Sequence, residues 1–219
     1  MRCSNCHSDN PSQFQFCGKC GVALANAERH HLTVMFCEVV NLASFSEQLD
    51  PEDVHDVFTM YQETCAAIVR RFSGYVARQM GGALLAYFGY PSAHDAAPRQ
   101  AAHAGLALIA ALPGLNARLQ NVLTPQLASS LQTRVGIHTG IAVIGEMGNK
   151  DYSESMALGD TPNIAARILA LANANTLVVS AETHQLVQDH FACVSLGTHA
   201  LKGIATPLEL YRVVAAREV

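Results

Sequence analysis

The chain has 219 residues, 50% hydrophobic and 15% charged, with a formal net charge of −4. That length and apolar content suit one substantial core with a small appendage rather than two equal domains. The acidic balance argues against a nucleic-acid partner, and the lack of an apolar run of roughly 18 residues argues against a membrane one, so the expected setting is the cytoplasm.

Residues 1–22 carry Cys3-x-x-Cys6 and Cys17-x-x-Cys20. Two such pairs bring four thiolates to one tetrahedral point, the geometry of a closed structural Zn²⁺ site, and Gly18, Gly21 and Asn10-Pro11 supply the turns. Two disulfides would be the competing reading. Cys37, Cys65 and Cys193 lie in apolar segments, as reduced thiols do, which favours a zinc ribbon. Residues 23–29 read as a linker, and 30–215 as the main domain.

Within that domain, residues 31–40 are apolar on both faces, as in a central strand. A short helix is predicted over Ala43–Gln48. Asp50-Pro51-Glu52-Asp53 then marks a helix start, with a capping residue, proline in the first turn and acids at the positive end of the dipole. Val54, Val57, Phe58, Tyr61, Cys65, Ile68, Val69 and Phe72 continue it at helical spacing to about Ser73. Residues 74–80 and 83–89 flank Gly81-Gly82 as a hairpin. An alanine-rich helix is expected over 94–112, and a polar loop over 123–132. Strands over 133–140 and 141–146 are expected to meet at Gly140. A helix over 161–172, a strand over 176–180, a helix over 181–189 and strands over 194–201 and 208–214 complete the pattern. Alternating strands and helices with antiparallel hairpins indicate an α+β, ferredoxin-like fold.

His31-Leu-Thr-Val-Met-Phe-Cys-Glu38, the segment from Gly81 to Gly89, Val135-Gly-Ile-His-Thr-Gly140, the segment from Leu158 to Arg167, and Leu201-Lys-Gly203 together resemble the catalytic domain of class III adenylate/guanylate cyclases. The resemblance covers residues 29 to about 214. It implies the class III nucleotidyl cyclase fold and conversion of a purine nucleoside triphosphate to its cyclic monophosphate. In that reaction the ribose 3′-oxygen attacks the α-phosphorus, pyrophosphate leaves, and two Mg²⁺ or Mn²⁺ ions activate the nucleophile and hold the phosphates.

Set against that pattern, several positions depart. The two metal-binding aspartates correspond to Glu38 and Gly82. Glutamate shifts the carboxylate by about a methylene, and roughly 1 Å of misplacement can cost on the order of a hundredfold in rate. Glycine offers no side-chain ligand. The phosphate-loop positions hold Asn41 and Leu42, and the purine-contacting pair corresponds to Arg78 and Met156, of which methionine can neither accept from an amino group nor donate to a carbonyl. The transition-state asparagine and arginine are retained as Asn163 and Arg167, and Lys202 matches a triphosphate-contacting lysine.

What this implies is a degenerate cyclase homologue, a regulatory or dimerisation domain with little turnover as a homodimer. The alternative is an active adenylate cyclase, alone or completed by an intact partner chain. Family active sites form between head-to-tail protomers, so a homodimer or a heterodimer with another cyclase domain is expected, burying a second apolar sheet face that the chain itself is expected to leave bare. His30, His31 and His138 read as hydrogen-bonded structural histidines, and Asp160 as a helix cap.

Overall fold

The computed structural model describes residues 2–3, 5–11, 17–21, 28–40, 47, 49–120, 131–149, 152–204 and 206–217. Most of the helix expected over 43–48, Asn41, Leu42, and most of both the linker and the 123–132 loop lie outside them. The chain runs β1 (Glu28–Val39), α1 (Pro51–Arg71), β2 (Tyr75–Met80), β3 (Ala83–Phe88), α2 (Ala97–Leu119) and β4 (Thr133–Asn149). It continues through β5 (Tyr152–Leu158), α3 (Asp160–Leu171), β6 (Leu177–Ser180), α4 (Ala181–Val187), β7 (Phe191–His199) and β8 (Leu208–Ala216).

One sheet of order β2-β3-β1-β4-β6-β8-β7 organises these elements, with β5 paired to the outer part of β4. All pairs are antiparallel except β4 with β6. Strand alternation divides β1 between two cores. Met35, Cys37 and Val39 face α1 and α2, while Leu32 and Val34 face the other side with Leu85, Tyr87 and Ala165. Burial on both sides explains why β1 reads as continuously apolar.

Helix α1 begins as its sequence indicates, with Pro51 in the first turn followed by Glu52 and Asp53, although Asp50 makes no side-chain cap hydrogen bond. Helix α2 overruns the expected end at 112 and continues through Pro113. An interior proline costs about 3 kcal/mol, and burying a leucine returns about 1.5–3 kcal/mol. Leu115 and Leu119 are both buried beyond Pro113, so their packing offsets the break.

The strands expected to meet at Gly140 are a single strand, β4. Gly140 stands in register with Leu32 of β1, in the middle of an unbroken ladder from Glu28↔Ile144 to Val39↔Thr133. Its glycine serves packing instead of a turn. A Cβ at Gly136 would lie 2.5 Å from the Leu169 nitrogen and 2.9 Å from the Ala165 oxygen, and one at Gly140 would lie 2.8 Å from Thr161 Oγ1. Helix α3 therefore rests its backbone directly on β4, and its first turn is tied down where the Thr161 hydroxyl donates to the Ile141 carbonyl at 2.7 Å.

Strand β5 went unanticipated because Tyr-Ser-Glu-Ser is polar and lacks an apolar run. It pairs from Val143↔Leu158 to Asn149↔Tyr152, and the Ala157 amide donates to Tyr87 Oη at 3.0 Å, which lays β5 against the face of β3. The second sheet face is thus not bare: Leu32, Val34 and Tyr87 are fully buried within one chain, under α3 and β5. Exposed large apolar side chains are scattered over the described surface: Tyr75 and Met80 on the β2–β3 hairpin, Ile141 and Leu158 beside the start of α3, and others such as Leu171, Leu186 and Val214 elsewhere.

A buried polar cluster joins the centre of the sheet to α4. Thr33 Oγ1 and Thr139 Oγ1 are 3.0 Å apart, Thr183 Oγ1 donates to Thr139 Oγ1 at 3.1 Å, and Ser180 caps α4 by accepting from the Thr183 amide. His138 Nδ1 lies 2.7 Å from Ser180 Oγ. This is the structural role expected of that histidine. Burial depresses its pKa below 6.5, against a smaller opposing pull from Glu182.

Two outcomes are expected. Gly136→Ala should destabilise the fold by about 1–3 kcal/mol, because backbone cannot yield to the new methyl. Gly114→Ala, on an exposed helical position with nothing within 4 Å, should instead stabilise by about 0.5–1 kcal/mol. Urea denaturation of both variants tests the pair of signs. Second, a depressed folded pKa at His138 means its contribution is complete above pH 6.5 and declines as the pH falls towards the folded value, since the unfolded chain then binds the extra proton. His103, likewise depressed by burial and by Arg99 and His190, acts with the same sign. Stability measured from pH 7.5 down to 5 should fall less steeply in His138→Asn than in the natural chain. Equal slopes would remove His138 as a source of that dependence.

Candidate active site and metal centre

Glu38 emerges near the end of β1, in register with Ala83 of β3 on one side and Arg134 of β4 on the other. A cleft of about 330 Å³ opens there, lined by Glu38, Val39, Val40, Met80, Gly82, Ala83 and Arg134. The two positions expected to bind metal, Glu38 and Gly82, are therefore neighbours. Gly82 is buried and contributes backbone alone, its carbonyl accepting from the Val39 amide at 2.8 Å. The left-handed conformation in this turn, φ +51°, belongs to Gly81, whose carbonyl accepts from Gln62 Nε2.

Glu38 itself is occupied. Arg134 Nε donates to Oε1 at 2.7 Å, and Nη2 donates to the same oxygen. Nη1 donates to the Ala170 carbonyl at the far end of α3, at 3.1 Å. Arg134 was not singled out from the sequence. Nothing local marks it, because its role depends on a register between strands 96 residues apart.

Gly159, at φ +119°, admits the chain to α3, and Asp160 is the first helical residue rather than the cap. Asn163 Nδ2 donates to the Gly159 carbonyl at 3.0 Å. Asn163 and Arg167, one turn apart, are both exposed, while Thr161, Ala165, Ile168 and Leu169 turn inward. The start of α3 is fixed at Ile141, seven positions along β4 from Arg134, which is roughly 23 Å of strand. Neither Asn163 nor Arg167 lines the Glu38 cleft.

The other expected nucleotide contacts are dispersed. Arg78 is exposed on β2, in register with Leu85 just after a bulge. Met156 stands opposite Gly145 in β5, and its side chain lies outside what is described. Lys202 is exposed in the turn after β7.

At the amino terminus, the four sulfurs of Cys3, Cys6, Cys17 and Cys20 all lie within 4.8 Å of one another, and none forms a disulfide. Four thiolates at about 2.3 Å from one tetrahedral Zn²⁺ would sit about 3.8 Å apart, so the set suits that ion with little adjustment. Each half is a knuckle: the His7 amide donates to the Cys3 carbonyl at 2.9 Å, and the Gly21 amide to the Cys17 carbonyl at 2.9 Å. Asn10 joins them, with Nδ2 donating to Cys17 Sγ at 3.5 Å and Oδ1 accepting from the Gly18 amide at 2.9 Å. Backbone N–H groups of Cys20 and Lys19 hold the Cys17 thiol down to about 6, favouring the thiolate a soft metal needs.

Comparison with known proteins follows the same lines. Residues 24–215 match the adenylate and guanylate cyclase catalytic domain family. Adenylate cyclase 1 of Rhizobium meliloti is 31% identical over 193 residues, covering 86% of this chain and 28% of that protein. The chain thus spans under a third of that relative. The crystal structure of the adenylyl cyclase CyaB from P. aeruginosa superposes with a TM-score of 0.80 at 27% identity, covering 87% of this chain and 96% of that one. The guanylyl cyclase Cya2 shares the fold, with a TM-score of 0.79 at 24% identity over 88% of this chain and 95% of that one. The five sequence segments, the sheet they build and these matches agree: the chain belongs to the class III adenylate/guanylate cyclase catalytic domain family and has its α+β fold.

Proposed function

We propose that this chain is a degenerate nucleotidyl cyclase homologue, a regulatory or dimerisation domain with little or no cyclase turnover as a homodimer. The observation that carries this reading is the state of the metal cleft. Gly82 offers no carboxylate, and the carboxylate of Glu38 is held by Arg134. Divalent metal would have to supply both the lowered pKa of the 3′-hydroxyl and the clamp on the triphosphate. Hard cations of that kind demand several oxygen ligands in near-octahedral order, and the residues here do not fit two such ions.

A second reading is supported by a different feature. Asn163 and Arg167 are retained and exposed on one face of α3, and the 31% identical relative is named an adenylate cyclase. In a head-to-tail pair, α3 of one protomer faces the metal cleft of the other. This chain would then contribute the asparagine that orients ribose and the arginine that meets charge growing on the α-phosphate, while an intact partner contributes the metals. A purine nucleoside triphosphate is the ligand class for either reading. Arg78 suits a ring nitrogen, and Met156 leaves adenine or guanine undecided.

For the amino-terminal segment we propose one structural Zn²⁺ held by Cys3, Cys6, Cys17 and Cys20. Bound there, zinc would cross-link two knuckles in which, among the described residues, the buried apolar side chains are cysteines.

Purified chain given ATP or GTP with Mn²⁺ or Mg²⁺ is expected to form no appreciable cyclic nucleotide. Turnover at ordinary cyclase rates, on the order of 1 s⁻¹ or more, would overturn the degenerate reading. Elemental analysis of protein prepared without added metal should find one zinc per chain, with loss of the metal in Cys3→Ser. Under half-occupancy, or zinc retained in that variant, would count against the ribbon.

A further inference from the structure

We propose that Arg134 stands in for a cation in the Glu38 cleft, so that Glu38 is its counterion rather than a metal ligand and the cleft turns divalent ions away. The inference deepens the reading above and rests on Glu38 and Gly82 occupying the family's metal positions.

Geometry is the first support. Glu38 and Arg134 are direct cross-strand partners, so their side chains leave the sheet about 5 Å apart on the same face. Two N–H groups of one guanidinium converge on a single carboxylate oxygen, Oε1. Charge-assisted bonds of this kind are about twice as strong as neutral ones. The third nitrogen, Nη1, is anchored on the Ala170 carbonyl, so Arg134 cannot swing clear of Glu38 without also abandoning a backbone acceptor on α3. The arginine is thus fixed from two directions.

Charge is the second. Among the described residues lining the cleft, Glu38 and Arg134 are the only ones that carry a full charge. Their sum is zero, whereas the family's two aspartates would give −2. An incoming divalent ion meets a fixed positive group beside its single anionic ligand. Both side chains are a little under one-third exposed, 28% for Arg134 and 29% for Glu38, so solvent screens this repulsion only in part. Gly82 cannot compensate, and its carbonyl is already engaged by Val39.

Mn²⁺ alone, followed by electron paramagnetic resonance during titration of the natural chain and its variants, tests the proposal. Arg134→Gln removes the charge, and Mn²⁺ affinity should rise about tenfold, the scale on which one adjacent charge shifts an ionic equilibrium at a partly exposed site. Arg134→Lys keeps the charge and should leave affinity low. Glu38→Gln in the Arg134→Gln background should abolish the gain, which assigns the ion to this cleft. If Arg134→Gln fails to fold, as thermal melting would reveal, Glu38→Gln in the otherwise natural chain decides alone. Unchanged Mn²⁺ binding supports the counterion role, and a loss shows that Glu38 was a ligand all along. Equal affinity in the natural chain and Arg134→Gln would also overturn the proposal. Tight Mn²⁺ binding through Glu38 without cyclic nucleotide formation would defeat the counterion role and leave the proposed function standing, whereas turnover defeats the proposed function.

Discussion

The close seating of α3 on β4 governs the rest of this domain. Gly136 and Gly140 lie on the same face of β4, four positions apart, and neither has room for a methyl group. Four residue steps along the strand span about 13 Å, close to the eight steps from Thr161 to Leu169 along the helix at about 1.5 Å each. Helix and strand therefore run in step, antiparallel, with one glycine under each end of the helix. This match turns Ala165, Ile168 and Leu169 inward and leaves Asn163 and Arg167 outward. It also brings the Ala170 carbonyl within reach of Arg134. One packing constraint thus sets both the outward pair and the anchor of the inward arginine.

From that arrangement comes the division of the site. The cleft between β1, the hairpin turn and β4 holds Glu38, while the exposed face of α3 holds the asparagine and arginine. A single chain does not bring them into one cavity. Under the proposed function the first half has lost its ligand at Gly82 and neutralised the other with Arg134, whereas the second half keeps its polar groups in place. Exposed Met80 lines the cleft, and exposed Ile141 and Leu158 flank the start of α3, apolar side chains that a second domain could cover. The driving force for such pairing is smaller than the sequence suggests, because β5 and α3 already bury Leu32, Val34 and Tyr87.

Much of this was legible before the structure, for identifiable reasons. Pro51 with Glu52 and Asp53 starts a helix whatever packs against it, and Gly81-Gly82 between apolar runs makes a hairpin. Cysteine spacing placed four sulfurs together, since a two-residue gap in each pair already fixes their reach. The misses share a cause: each depended on contacts distant in sequence. Gly140 looks like a turn until α3 is known to need its missing side chain. Pro113 looks like a helix end until Leu115 and Leu119 are known to be buried. The polar segment from Tyr152 becomes a strand because the outer half of β4 is free to pair with it. Arg134 carried no local signal, and only the β1–β4 register gives it a partner.

Complementation tests the divided site most directly. This chain would be mixed with a cyclase domain that has both metal aspartates but whose own transition-state asparagine and arginine have been replaced by alanine. Each protein alone should be silent. The mixture should produce Mn²⁺-dependent cyclic nucleotide, and Arg167→Ala in this chain should abolish it. A pair that co-sediments yet makes no product would contradict the proposed second reading, in which Asn163 and Arg167 act as a working half-site, and would leave the chain a regulatory or dimerisation domain alone.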